Sequence, residues 1–313
     1  MGVGLFGRQA QRICVVRALA EQIIGNQDIR SEFINFNLIA APGYVELLDE
    51  LVSLNVDRRE TSFIIADTPV SLPSSASAIN AWASNSRNVA GNGVNGRTTM
   101  YDFAAMYYPW GLSTNVDGNS ILVPPSTIAL RTFGFNDSVA YPWFPPAGTR
   151  RGVISNAESV GYLNDQNQYI PVTLNQGQRD TLFNQKINPF TFVPGRGLLV
   201  YGDLTLSPNS GSALSRVNVA RLVVYLRTIL PSAVAPFLFE LNTPRTRNAA
   251  VAVIGGILTD LIGKDAIEDF IVVDETSPEE EDANIIKIAV AIAPRKSVNF
   301  ITIPIRLVRS GSI

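Results

Sequence analysis

The sequence predicts an α/β fold. A mixed sheet flanked by helices is expected over residues 1–173, and an α+β C-terminal domain with terminal strands over residues 174–313. Three observations predict it. Residues 36–66 read as strand, helix, strand with short links, a βαβ pattern that implies a parallel pair. The segment AYPWFPPAGTRRGVI, from residue 140, crowds prolines, aromatics and arginines and fits neither a helix nor a central strand. Near the C-terminus, two runs repeat their apolar residues at every second position, the period of a half-buried strand.

Each element follows from its residues. Residues 5–25 place Ile13, Val16, Leu19, Ala20, Ile23 and Ile24 at helical spacing, and Gly25-Asn26 supplies a stop. FNLIAA (36–41) is a strand-like run punctuated by Pro42-Gly43. Residues 44–56 form a second helical pattern, and FIIA (63–66) is a strand closed by Asp67. A helix is predicted over 73–87 and a strand over 104–108. Residues 88–98 form a Gly/Asn loop, 111–126 are turn-rich, and the segment from 140 is a packed irregular stretch or a contact surface.

Beyond 174, a short helix (175–185) leads to strands at 189–193 and 198–201. A strongly amphipathic helix covers 215–230, with Val219, Leu222, Val223 and Leu226 on its buried face. Arg216, Arg221 and Arg227 are expected toward polar surroundings. Two further helical stretches follow Pro231, up to residue 262, and a strand covers 267–273. In residues 284–293, Ile286, Ile288, Val290 and Ile292 share a face. In residues 300–308, Ile301, Ile303, Ile305 and Leu307 do.

Composition excludes several function classes. The 313 residues carry a formal net charge of −2 and are 46% hydrophobic, enough for a packed core and without the basic excess a nucleic-acid binder needs. There is no histidine and one cysteine. That excludes Ser-His-Asp and Cys-His catalysis, His/Cys zinc sites and an internal disulfide. Cys14 lies in an apolar helical stretch and is read as packing. No secretory signal is visible. The longest apolar run, 249–258, falls short of the roughly 20 residues of a membrane span, so a soluble cytoplasmic chain without membrane insertion is expected.

The remaining motifs are weak. Gly2, Gly4 and Gly7, and again Gly91, Gly93 and Gly96, spell GxGxxG, but neither string sits between a strand and a helix, where a pyrophosphate would rest. No cofactor or metal is expected. Asp67 ends a parallel strand, where α/β enzymes place catalytic groups, which raises a hydrolase-like alternative. No second acid, base or nucleophile accompanies it, so a capping or turn role is preferred.

The charge pattern is more informative. Residues 265–282, including Glu279, Glu280 and Glu281, contain no Lys or Arg. Residues 283–313, including Arg295, Lys296 and Arg306, contain no Asp or Glu. A solvated acidic turn explains part of this, and head-to-tail association between copies explains the whole equally well. The last run, Phe300, Ile301, Ile303, Ile305 and Leu307, contains Pro304, which confines it to an edge-like position. It is suited either to donation to a neighbour or to a local hairpin.

Several segments, taken in order, resemble the contractile tail sheath family, in particular the sheaths of large myophages. They are DIRSEFINFNLIAAPGYVELLDELVSLN (28–55), FIIADTP (63–69), YYPWG (107–111), VPPSTIALRTFGFND (123–137), YPWFPPAG (141–148) with RRG (150–152), LNQGQRDTLFNQKINPFTFVPGRGLLVYGDLTL (174–206) and SALSRVNVARLVVYL (212–226). The resemblance spans residues 10–310. It implies a structural, non-enzymatic subunit that forms hexameric rings stacked helically around a tail tube protein. The sleeve contracts to drive the tube through the host envelope. Baseplate and tail terminator proteins are the further partners implied, with assembly in the host cytoplasm and residence in the virion tail. Terminal arms of such subunits complete the sheets of their neighbours, so the resemblance implies that the terminal strands of residues 174–313 are exchange strands. Sheath subunits also carry an N-terminal arm and upstream outer domains, whereas this chain opens on a helix of mid-protein character.

Overall fold

The computed structural model describes residues 3–31, 33–84, 96–97 and 99–297. Helix α1 (Val3–Gly25) precedes strand β1 (Leu38–Ala40), helix α2 (Leu48–Asp57), strand β2 (Phe63–Asp67), helix α3 (Ala76–Ala83) and strand β3 (Ala104–Tyr108). Strands β4 (Trp110–Thr114) and β5 (Ser120–Val123) follow, then helix α4 (Pro125–Val139), a short helix α5 (Gly148–Arg151), and strands β6 (Ser159–Leu163) and β7 (Tyr169–Pro171). Helix α6 (Gln176–Asn184) leads to β8 (Ile187–Val193) and β9 (Gly197–Val200). The described chain closes with helices α7 (Val217–Val234) and α8 (Pro244–Gly263), strand β10 (Ile267–Asp274), a short helix α9 (Pro278–Asp282) and strand β11 (Ile288–Pro294).

The central sheet has the order β1-β2-β3-β8-β9. Its first four strands run parallel, with Leu38 opposite Phe63 and Ile64 opposite Ala104, and β9 is antiparallel. Every residue of β2 and β3 is buried, as expected of parallel strands covered on both faces. Alternation sends Ile64, Ala66, Met106 and Tyr108 to one core with α2, α3 and α6. It sends Phe63, Ile65, Ala105 and Tyr107 to the other, where Ile128 and Phe133 of α4 and Val217 and Val224 of α7 meet them. The predicted parallel pairing of FNLIAA with FIIA is therefore present.

Other expectations need correction. The helix expected over 73–87 is shorter, because Ser75 caps its start and Ser84 ends it. Residues 111–126 are not merely turn-rich: β4 and β5 form a hairpin in a four-stranded antiparallel sheet of order β5-β4-β6-β7. Gly111 is required there, since an added Cβ would lie 2.6 Å from Ile128 and 2.9 Å from Ala157. Strands β6 and β7 and helix α4 had no counterpart in the sequence reading. Helix α7 runs through Pro231 to Val234 instead of stopping before it. Strand β8, beyond residue 174, pairs with β3 in the central sheet.

The segment from 140 is irregular and packed, as expected. Trp143 is buried, stacks on Tyr141 at 4.7 Å and donates its indole N–H to the Lys264 carbonyl at 3.0 Å. It belongs to a third core built from Leu222 and Leu226 of α7, Ile254, Leu258 and Leu261 of α8, and Ile267 of β10. By length and composition, 217–237 could cross a membrane, but Val217, Val219, Ala220, Leu222, Val224 and Leu226 are buried within this body.

Candidate assembly surface

Asp67 is a fastener. Its carboxylate is 3% exposed and accepts from the Gly43 amide at 2.6 Å, the Ser126 amide at 2.5 Å and the Ser126 hydroxyl at 3.0 Å. Ser126 lies in the first turn of α4, where amides lack partners and a negative charge is favoured. Asp67 thus joins the loop after β1, the end of β2 and the start of α4. Burial pushes its pKa up to about 6, against the pull of the three hydrogen bonds. Among the described residues no His/Cys/Asp/Glu group could hold a metal ion. The capping role holds, although the capped helix lies far along the chain and not in the local Asp67-Thr68-Pro69 turn.

Strands β10 and β11 pair only with each other among the described residues. Their register places Val272 opposite Val290 and Phe270 opposite Ile292, and Phe270, Val272, Ile288 and Ile292 face the third core. Ile288, Val290 and Ile292 share a face of β11 as expected, although Val290 is 37% exposed and Ile286, the fourth residue expected there, precedes the strand. The opposite face sets Ile271 and Val273 against Ala291 and Ala289. Ile271 is 62% and Val273 47% exposed. An apolar outer face on a two-stranded sheet, with both outer edges unpaired among the described residues, is an invitation to further strands.

The charges at this end are partly consumed within the chain. Arg247, nearly buried, meets Asp274 at 2.9 Å and Glu281 at 3.3 Å. Lys287 lies 3.8 Å from Glu280. Ser277 and Glu280 form a reciprocal capping box on α9, which holds the Glu280 carboxyl below its usual range, chiefly through the Ser277 amide. Arg295 pairs with Asp265 at 3.1 Å. Glu279 and Lys296 are exposed. Phe300, Ile301, Ile303, Ile305, Arg306 and Leu307 lie outside the described residues, as do Gly2, Gly91 and Gly93 of the glycine strings.

Two placements sharpen or correct the sequence reading. Arg221 is 2% exposed, so the polar surroundings expected for it are a carboxylate inside the fold and not solvent. Its guanidinium grips Asp137 at 2.9 and 2.6 Å beneath the Phe133 ring. Cys14 is exposed on α1 and is not packed. That helix lays Val16, Leu19, Ala20 and Ile23 toward the body but leaves Ile13 67% and Ile24 58% exposed. A residue the sequence reading missed is Arg58. Nearly buried, it donates to the carbonyls of Ile29, Ser31 and Ile34 and covers the Phe36 ring at 3.9 Å, fixing the path into β1.

No protein-family model matches the chain. The tail sheath protein of Vibrio phage KVP40 is 34% identical over 172 residues, 54% of this chain and 24% of that protein. The tail sheath protein of Enterobacteria phage T4 is 32% identical over 170 residues, 53% of this chain and 24% of that protein. The match thus spans about a quarter of each curated relative. Among solved structures, a chain of the anti-feeding prophage baseplate superposes with a TM-score of 0.68 at 21% identity, covering 91% of this chain and 72% of that one. A chain of the sheath complex of an extracellular contractile injection system in the contracted state gives 0.67 at 20% identity, covering 89% and 72%. The expected resemblance to tail sheath proteins is present in sequence, and the fold is shared with chains of contractile injection systems.

Proposed function

We propose that this chain is the conserved part of a contractile tail sheath subunit. Copies stack as hexameric rings around a tail tube, joined to a baseplate at one end and a terminator at the other, and contract to drive the tube through the host envelope. The observation that carries the reading is the sequence identity to two tail sheath proteins. The fold is compatible with it, since neighbours from contractile injection systems cover most of the chain.

In this reading, residues 300–308 leave the body and add to the β10–β11 hairpin of another copy. Phe300, Ile301, Ile303, Ile305 and Leu307 supply the apolar side, and main-chain hydrogen bonds supply the register. The exposed Ile271 and Val273 face is what such an addition would help to cover. Glu279, Glu280 and Glu281 beside Arg295, Lys296 and Arg306 steer the encounter between copies. No nucleotide is required, because a lattice assembled in a higher-energy packing stores the work of contraction.

Negative-stain microscopy of the purified protein tests the reading: long tubes or polysheaths are expected, and a small closed oligomer would overturn it. Truncation after Pro294 tests the exchange. A folded subunit that no longer forms tubes is the expected result, and tubes of normal length and yield would refute it.

A further inference from the structure

We infer that residues 295–297 are a fixed anchor: they stay docked on their own subunit in every state of the lattice, and only the chain beyond Ser297 serves a neighbour. This rests on the strand exchange proposed above. After β11 the chain returns to the body and is held from three sides. The Arg295 amide donates to the Ala266 carbonyl at 3.1 Å, and its guanidinium meets Asp265 at 3.1 Å. Its carbonyl accepts from the Asn218 side chain at 3.0 Å. The Ser297 hydroxyl donates to the Asp203 carboxylate.

The groups that receive it belong to the rigid interior. Asp203 and Asn218 are each 5% exposed. Asp203 also pairs with Arg216 at 3.3 Å and accepts the Val217 amide at 2.8 Å on its carbonyl, so it is built into the start of α7. Burial raises the Asp203 carboxyl above its usual range, and a carboxylate so placed needs each of its donors.

The consequence is geometric. From Ser297 to Phe300 there are three peptide steps, a reach of about 11 Å at full extension. A donated strand beyond Ser297 would therefore have its root beside the N-terminus of α7, whatever the lattice does. A short tether from a fixed root keeps the effective concentration of the strand high at its receptor. It also transmits pull from one body to the next without slack.

Hydrogen exchange over residues 292–297 tests the anchor in the full chain. Equal protection in unassembled subunits, assembled tubes and contracted tubes is expected. Loss of protection on assembly or contraction would overturn it. Inserting a six-residue Gly/Ser tether between Ser297 and Val298 leaves every described contact in place. It is expected to lower tube yield at least tenfold with an unchanged melting temperature, and normal tubes would overturn the short-tether argument. The double change Asp203→Ala and Asn218→Ala is expected to raise exchange at 295–297 in the unassembled subunit, and unchanged protection would show that these side chains do not hold the root. Truncation after Ser297 separates the two ideas. Tubes from that protein would end the exchange reading, while protection at Arg295 would still report on the anchor.

Discussion

The Arg221–Asp137 pair offers the sharpest test of how α4 and α7 are joined. Replacing Asp137 with Ala leaves a guanidinium that is 2% exposed, beneath the Phe133 ring at 4.9 Å, stripped of its carboxylate partner. Removing one partner of a buried pair costs about 3–5 kcal/mol, because the remaining charge is stranded. Replacing Arg221 with Met removes the buried charge, and Asp137, 25% exposed, turns to water. That single change should cost less, and the double variant should recover part of the Asp137→Ala loss. The assay is urea unfolding of the unassembled subunit by linear extrapolation, with unchanged m-values as the check on two-state behaviour. A loss below about 1 kcal/mol for Asp137→Ala, or a double variant no better than that single one, would refute the reasoning.

Leu222→Ala, at a side chain 1% exposed in the third core, should cost about 2–5 kcal/mol in the same assay, and a change near zero would contradict its burial. Asp67 has its folded pKa raised from 3.8 to about 6, so its contribution to stability is fully present below pH 3.8 and lost as pH rises through 6. Relative to Asp67→Asn, the wild-type protein should lose about 3 kcal/mol across that window; parallel pH profiles would show that Asp67 titrates normally. Arg247→Met should free β10 and α9 from α8, seen as faster hydrogen exchange at residues 267–282 with little change in the central sheet. Equal exchange would show that the Asp274 and Glu281 contacts are incidental. Glu279→Lys should slow tube formation at low salt without altering subunit melting, and an unchanged rate would remove Glu279 from the interface.

What could be read from sequence was what a single local signal encodes. FIIA and AAMYY are continuous apolar runs, and burial on both faces leaves that signature. The short helix expected over 175–185 is α6, whose start is fixed by a capping box between Asn175 and Gln178. Helix α4 was missed although Pro125 at its first position marks a start. Its buried residues include Ser126, Thr132 and Asn136, which blurs the apolar period. The β4–β5 hairpin was missed because the strands are short and only partly buried. The burial of Arg221 was missed for a different reason. Helix α7 sits between two cores, with Val217, Ala220 and Val224 on one and Leu222 and Leu226 on the other. A one-sided helical wheel has no means of showing a second core. Cys14 shows the converse: α1 carries more apolar residues than the described chain covers.

The charged end of the molecule shows why net counts mislead about assembly. Read as blocks, residues 265–282 are acidic and 283–313 basic, and every member looks available to a neighbour. In the folded chain the blocks divide. Glu281 and Asp274 are tied to Arg247, Glu280 to Ser277 and Lys287, and Asp265 to Arg295. Those pairs close the hairpin onto α8 and hold the root of the C-terminal segment, so changing them acts first on the subunit. In the proposed lattice, the solvent-screened members of these pairs are too weak to hold copies together under load but suffice to set orientation on approach. On the assembly proposed above, cohesion between copies rests mainly on apolar burial and main-chain pairing. Both are offered in one place, at the outer edges of β10 and β11 and the Ile271 and Val273 face between them.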